Sequence, residues 1–194
     1  MDSIHVTPTT ASKINDVDFK NLGFGTVFSD HMLVCDYADG KWGIPKIIAY
    51  QPISLMPSAK IFHYGQSIFE GMKAYKDANN QTWLFRPEEN FKRFNISAKR
   101  LAIPELPKEV FMEGLKALLK VDEQWIPTQD GSSLYIRPII FATGEGFHAS
   151  PADAYKFIIC TAPSGAYFAG KVKVLIEQNY SRSANGGVGY AKAG

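Results

Sequence analysis

The sequence predicts a mixed α+β domain, a mainly antiparallel sheet with two helices, and three observations predict it. Apolar, β-prone runs separated by turn residues fill Thr26 to Tyr50. Two segments with helical spacing follow, from Pro87 to Leu101 and from Lys108 to Val121. Two more apolar runs, Ser133 to Phe141 and Ala154 to Thr161, come after them.

Composition narrows the class. The 194 residues are 45% hydrophobic and 13% aromatic, enough to bury a core and to make one domain, or a domain and part of another. A net charge of +2 without a long basic run argues against a nucleic-acid surface and leaves room for a small anionic ligand. Cys35 and Cys160 lie in apolar runs, and Met1-Asp2-Ser3 opens no secretory signal, so both read as buried thiols in a reducing compartment. No apolar run approaches the ~18 residues of a membrane span. The expected location is the cytoplasm.

Residues 1–20 are polar and aperiodic, and are expected to form an extended surface arm. Thr26 to Cys35 reads as a strand, Asp39-Gly40 as a turn, and Ile47 to Tyr50 as the returning strand. Ile53 to Leu55 and Lys60 to Tyr64 extend this meander, with Pro52 and Pro57 confining their segments to edges or turns. Ile68, Phe69 and Met72 fit a short helix, followed by strands through Tyr75 and at Thr82 to Phe85. Pro87 opens the first long helix, Glu88 and Glu89 complement its positive end, and Phe91, Phe94, Ala98 and Leu101 form its apolar stripe up to Pro104. Arg93 falls outside that stripe, on a face with Lys92 and Arg100. In the second helix Val110, Phe111, Leu115, Leu118 and Leu119 turn inward. Arg137 stands inside an apolar strand and needs a partner, because an unpaired buried guanidinium is costly. Pro163, Gly165, Ala166, Ala169 and Gly170 read as a linker before a fresh strand at Val172 to Ile176, placing a domain boundary near Gly170.

The last nine residues, Gly186-Gly187-Val188-Gly189-Tyr190-Ala191-Lys192-Ala193-Gly194, hold one lysine among four glycines and two alanines. So little bulk shields the backbone that a flat ring can approach closely. That suits a lysine which condenses with an aldehyde once its amine has lost a proton. Taken alone, the stretch reads more readily as a flexible glycine loop around a solvated lysine.

Five motifs in order carry a resemblance. They are His63-Tyr64-Gly65 through Phe69-Glu70-Gly71-Met72-Lys73-Ala74-Tyr75, then Leu84-Phe85-Arg86-Pro87, then Ser133-Leu134-Tyr135-Ile136-Arg137-Pro138, then Gly165-Ala166-Tyr167-Phe168, and the lysine stretch. Together they resemble the branched-chain-amino-acid aminotransferases, pyridoxal-phosphate enzymes of fold type IV. The resemblance implies an amino-terminal portion only: a small domain over residues 1–169, then a linker and the start of the large cofactor-binding domain over residues 170–194, cut just past the lysine. It implies a cytoplasmic homodimer that exchanges amino groups between Leu, Ile or Val and 2-oxoglutarate, giving branched-chain 2-oxo acids and glutamate. This chain alone is expected to be inactive, since the acidic partner of the pyridine nitrogen lies further along in the family.

The same resemblance assigns roles. Lys192 matches the lysine that holds pyridoxal 5'-phosphate and moves the substrate's α-proton. Arg93 matches the arginine on the cofactor phosphate, which its planar fork suits. Tyr64 matches a tyrosine at the substrate carboxylate, and Tyr135 and Arg137 a pair at the pocket wall, where Arg137 receives the side chain of glutamate. Phe24, Phe69 and Tyr167 match positions enclosing an aliphatic side chain, although by spacing alone ordinary core or interface packing is the favoured reading of these aromatics. Phe147 and Ala149 lie in a glycine-containing loop that in the family reaches a partner's site. Within the fold family, D-amino acid aminotransferases and aminodeoxychorismate lyases are the alternatives, and a non-catalytic dimerisation or folding module is the alternative of another class. His31, His63 and His148 lack metal-ligand spacing, and Gly187-Val188-Gly189 completes neither a dinucleotide fingerprint nor a Walker sequence.

Overall fold

The computed structural model describes residues 4–168 and 170–194. The segment Met1-Asp2-Ser3, and Ala169 at the end of the expected first domain, lie outside the described residues. In chain order come β1 (His5–Val6), β2 (His31–Ala38), β3 (Lys41–Trp42), β4 (Lys46–Ala49), α1 (Lys60–Tyr64), β5 (Ser67–Phe69), β6 (Met72–Lys76) and β7 (Thr82–Leu84). Then α2 (Pro87–Arg100) and α3 (Lys108–Val121) precede the two long strands β8 (Ser133–Ala142) and β9 (Tyr155–Ser164).

The described strands form one sheet in the order β1-β4-β2-β9-β8-β6-β7, with β3 on β2 and β5 on β8. Only β1 with β4 is parallel; the other pairings are antiparallel, as the fold class requires. Asp39 and Gly40 both have positive φ, 52° and 76°, which gives the hairpin after β2 a twist that matches its strands.

Alternation along the strands sorts their side chains between two faces. Leu33 and Cys35 of β2, Leu134, Ile136 and Ile140 of β8, and Phe157 and Ile159 of β9 join Phe94, Ala98 and the apolar side of α3 in the main core. Phe111 packs against both Phe94 and Phe157, with ring centroids 5.6 and 6.0 Å apart. Burying each such ring is worth about 1.5–3 kcal/mol. Gly114 lets α3 close on β2, since a Cβ there would lie 2.5 Å from Leu33 Cδ1. The opposite face carries a smaller cluster, Met32, Val34, Phe141 and Ile158. By their register Tyr135 and Arg137 belong to this second face.

Several expectations change. The helix expected around Ile68 to Met72 is strand: β5 and β6 both pair with β8 in one continuous register, interrupted at Glu70-Gly71. Ile68, Glu70, Met72 and Ala74 are all buried, a period of two that the charge on Glu70 disguised. The break lies opposite Pro138, which has no N–H to donate, while its carbonyl accepts from Glu70 N at 2.9 Å. Lys60 to Tyr64, expected as strand, is the short helix α1, stopped by Gly65 in the left-handed region at φ 59°. The first long strand starts at His31 rather than Thr26.

No strand forms at Val172 to Ile176, where Val174, Leu175 and Ile176 are more than 80% exposed. Such a run needs a neighbouring sheet edge to bury its alternate side chains, and it pairs with no described strand. Residues 4–20 of the expected arm lie on the surface, but they are pinned rather than loose. His5–Val6 extends the sheet, and Thr9 N donates to His31 Nε2 at 2.9 Å. His31 therefore carries its proton on Nδ1, which donates to buried Asp122 at 2.6 Å. Of the two thiols, Cys35 is buried and Cys160 only half-buried.

Candidate active site

Three residues of α2 turn toward the β5–β6 break, because positions three and four apart share a helix face. Asn90 Nδ2 donates to Glu70 Oε2 at 2.8 Å, and Arg93 grips the same carboxylate through Nε at 2.5 Å and Nη2 at 2.8 Å. Gly71 N adds a fourth donor at 3.2 Å. Burial alone pushes the Glu70 carboxyl up; the bonds from Arg93, Asn90 and Gly71, with the guanidinium charge, outweigh it and hold the group below the usual carboxylate range. Glu70 in turn holds the Arg93 guanidinium above its ordinary value. One turn on, Ser97 Oγ donates to Arg93 O at 3.0 Å and accepts from Lys192 N at 2.9 Å.

The backbone of Lys192 is thereby tied to α2, and its carbonyl is tied to the sheet. Phe69 N donates to Lys192 O at 3.0 Å, and Gly194 N to Ser67 O at 3.0 Å. The lysine segment thus lies along β5 as an added antiparallel edge. The amine stands 4.5 Å from the centroid of Phe69, and Arg137 Cζ lies 4.6 Å from the same centroid. The partner that Arg137 required is Tyr135, whose hydroxyl accepts from Nη2 at 3.0 Å. Tyr135 can approach because residue 71 is glycine: a Cβ there would collide with the Tyr135 hydroxyl and lie 3.2 Å from its Cζ. Phe24 packs edge-on against both Tyr135 and Tyr167, centroids 5.0 and 4.6 Å apart.

The site residues are therefore gathered in parts. Lys192, Phe69, Arg137, Tyr135, Phe24 and Tyr167 form one chain of contacts, and Arg93 joins it through Ser97 and Glu70. Tyr64 belongs elsewhere, since its hydroxyl donates to the Phe147 carbonyl. It shares a cleft of about 360 Å³ with Ala149 and Ala193. The loop bearing Phe147 and Ala149 is held by buried Lys60, whose Nζ donates to Ser150 Oγ at 2.8 Å and Ser150 O at 3.0 Å. Arg93 itself lines a cavity of about 670 Å³ with Asn90, Arg86 and Tyr190. Sequence reasoning missed Glu70, Asn90 and Ser97 as a working set. The available signals were a carboxylate at a buried strand position and the i, i+3, i+7 spacing along α2.

A probable branched-chain-amino-acid aminotransferase of Staphylococcus epidermidis is 47% identical over 180 residues, 90% of this chain and 50% of that protein. Branched-chain-amino-acid aminotransferase 2 of Bacillus subtilis is 45% identical over 187 residues, covering 94% of this chain and 52% of its own. Over nine-tenths of its length or more the chain is similar to branched-chain-amino-acid aminotransferases. It spans about half the length of the curated relatives it matches. Among solved structures, the Escherichia coli branched-chain amino acid aminotransferase superposes with a TM-score of 0.55 at 25% identity, over 71% of this chain and 41% of that one. The branched-chain aminotransferase from Thermoproteus uzoniensis, with norvaline, gives 0.56 at 20% identity over 72% and 43%, a likeness of fold alone. No protein-family model matches the chain.

Proposed function

We propose that this chain carries the lysine and the phosphate-binding arginine of a pyridoxal-phosphate-dependent transaminase that exchanges amino groups between Leu, Ile or Val and 2-oxoglutarate. The observation that carries the reading is the convergence on residues 69–71: the Lys192 amine meets Phe69, Arg93 is fixed on Glu70, and Tyr135 packs over Gly71. The residues suit the cofactor. Among the described residues the Lys192 amine has no hydrogen-bond partner, and two of the five N–H bonds of Arg93 are used on Glu70, leaving donors at the cavity for an anionic group. When bound, the cofactor supplies an aldehyde carbon for the amine and a ring that withdraws electrons.

Each residue then has a task. Lys192 holds the cofactor, and its freed amine carries the substrate's α-proton. Phe24, Phe69 and Tyr167 enclose an aliphatic side chain, and Arg137, held by Tyr135, pairs with the second carboxylate when glutamate occupies the same place. Tyr64 binds the substrate carboxylate after exchanging its bond to Phe147. Phe147 and Ala149 serve the neighbouring site of a homodimer. The boundary between a small domain and the cofactor-binding domain falls near Gly170. The enzyme works in the cytoplasm, a placement supported by two free cysteines. Among the described residues no helix is long and apolar enough to cross a membrane.

The test is chemical capture. The chain is treated with pyridoxal phosphate, reduced with borohydride and digested, and the modified lysine is located by mass spectrometry. Preferential modification at Lys192 is expected; scattered modification of exposed lysines rejects the reading.

A further inference from the structure

The residue that orients Arg93 lies outside every role assigned so far. Glu70 has a fully buried side chain, whereas that of Arg93 is 52% exposed. Its carboxylate takes four N–H donors from Arg93, Asn90 and Gly71, so neither the acid nor the guanidinium can swing away without leaving a buried charge short of partners. The bond pattern uses one edge of the planar fork, Nε with Nη2. The other edge, Nη1 and the second N–H of Nη2, makes no hydrogen bond among the described residues, and Arg93 lines the cavity that Tyr190 shares. The corner is also shared: Phe69, just before Glu70, donates to the Lys192 carbonyl, and Gly71, just after it, admits Tyr135.

We propose that Glu70 is a positioning residue for phosphate recognition, its carboxylate setting the plane of Arg93 so that the free edge of the guanidinium meets the phosphoester oxygens of the cofactor. This rests on the function proposed above and deepens it. Because the acid also cancels the arginine's net charge, Arg93 contributes aimed hydrogen bonds more than bulk attraction. Glu70 therefore governs recognition of the phosphate and not of the aldehyde.

The experiment compares pyridoxal phosphate with pyridoxal, which has the aldehyde and lacks the phosphate. The chain is incubated with each over a concentration series and reduced with borohydride, and the Lys192 adduct is quantified. The unaltered chain is expected to label at lower concentrations of the phosphorylated form. Arg93→Met abolishes that preference, and Glu70→Gln lowers it by about tenfold, the worth of a charge-assisted hydrogen bond. Labelling by pyridoxal changes by less than about twofold in Glu70→Gln, since uniform binding to the aldehyde is untouched. The double variant is no worse than Arg93→Met.

Preference retained in Glu70→Gln but lost in Arg93→Met overturns this inference and leaves the proposed function standing. Preference retained in Arg93→Met, or no selectivity for Lys192 in the unaltered chain, overturns both. A parallel fall with both aldehydes assigns Glu70 a merely structural role and also overturns the inference. Should Glu70→Gln not fold, nuclear magnetic resonance of the unaltered chain decides: the Arg93 Nε–H is expected to exchange far more slowly than those of the other arginines, and equal exchange refutes the positioning.

Discussion

Replacing Arg93 by Met removes the charged partner of a carboxylate that has no exposed surface, whereas replacing Glu70 by Gln frees an arginine that is already half in water. The two halves of one ion pair should therefore be unequal in cost. Arg93→Met leaves Glu70 with Asn90 and Gly71 as its only donors. Breaking a buried pair from that side costs about 3–5 kcal/mol, and the lower end applies because water can enter where the guanidinium stood. Glu70→Gln loses charge-assisted hydrogen bonds, about 1.5 kcal/mol. For a chain of this size these figures translate to falls in Tm of roughly 6–12 °C and 3–6 °C.

The pH dependence has a definite sign. In the unaltered chain the Glu70 carboxyl is held below its unfolded value of about 4.3, so its contribution is complete at neutral pH and is lost as pH falls through the folded pKa. Without Arg93, burial dominates and the folded pKa rises above the unfolded one. The native state then takes up the proton first, and the deficit of Arg93→Met relative to the unaltered chain shrinks as pH falls from neutral toward the unfolded value of about 4.3. Thermal unfolding followed by circular dichroism at neutral and at mildly acidic pH measures all of this. A Glu70→Gln variant less stable than Arg93→Met, or strictly additive costs in the double variant, would refute the reasoning.

Two further outcomes are expected. Gly71→Ala drives a Cβ into the Tyr135 hydroxyl, costing about 1–3 kcal/mol; Tyr135→Phe in the same chain should recover much of the lost Tm, and no recovery would place the clash elsewhere. Cys35 and Cys160 both have thiol pKa values pushed up to about 11 by burial. At pH 8 only about one thiol in a thousand is ionised, so colorimetric thiol titration should be slow in the folded chain and immediate in guanidinium chloride, and fast folded-state reaction would contradict that burial.

The two long helices were legible because a 3.6-residue period needs no knowledge of what lies opposite, and the long strands Ser133–Ala142 and Tyr155–Ser164 because buried β runs are continuous and apolar. Asp39-Gly40 announced its turn through local backbone chemistry alone. The resemblance named Lys192, Arg93, Tyr135 and Arg137 without locating them. Where local signals conflicted, the reading failed: Glu70 at an apolar position made a strand look helical, and five residues before Gly65 made a helix look extended. Only the tertiary structure could decide that Glu70 binds Arg93 and that Ser97 binds Lys192. Those pairs stand 23 and 95 residues apart in sequence, and only the packing of α2 against the strand break at Glu70-Gly71 brings them within hydrogen-bonding distance. Periodicity records which side of an element avoids water; it holds no information about which distant donor will satisfy a buried charge.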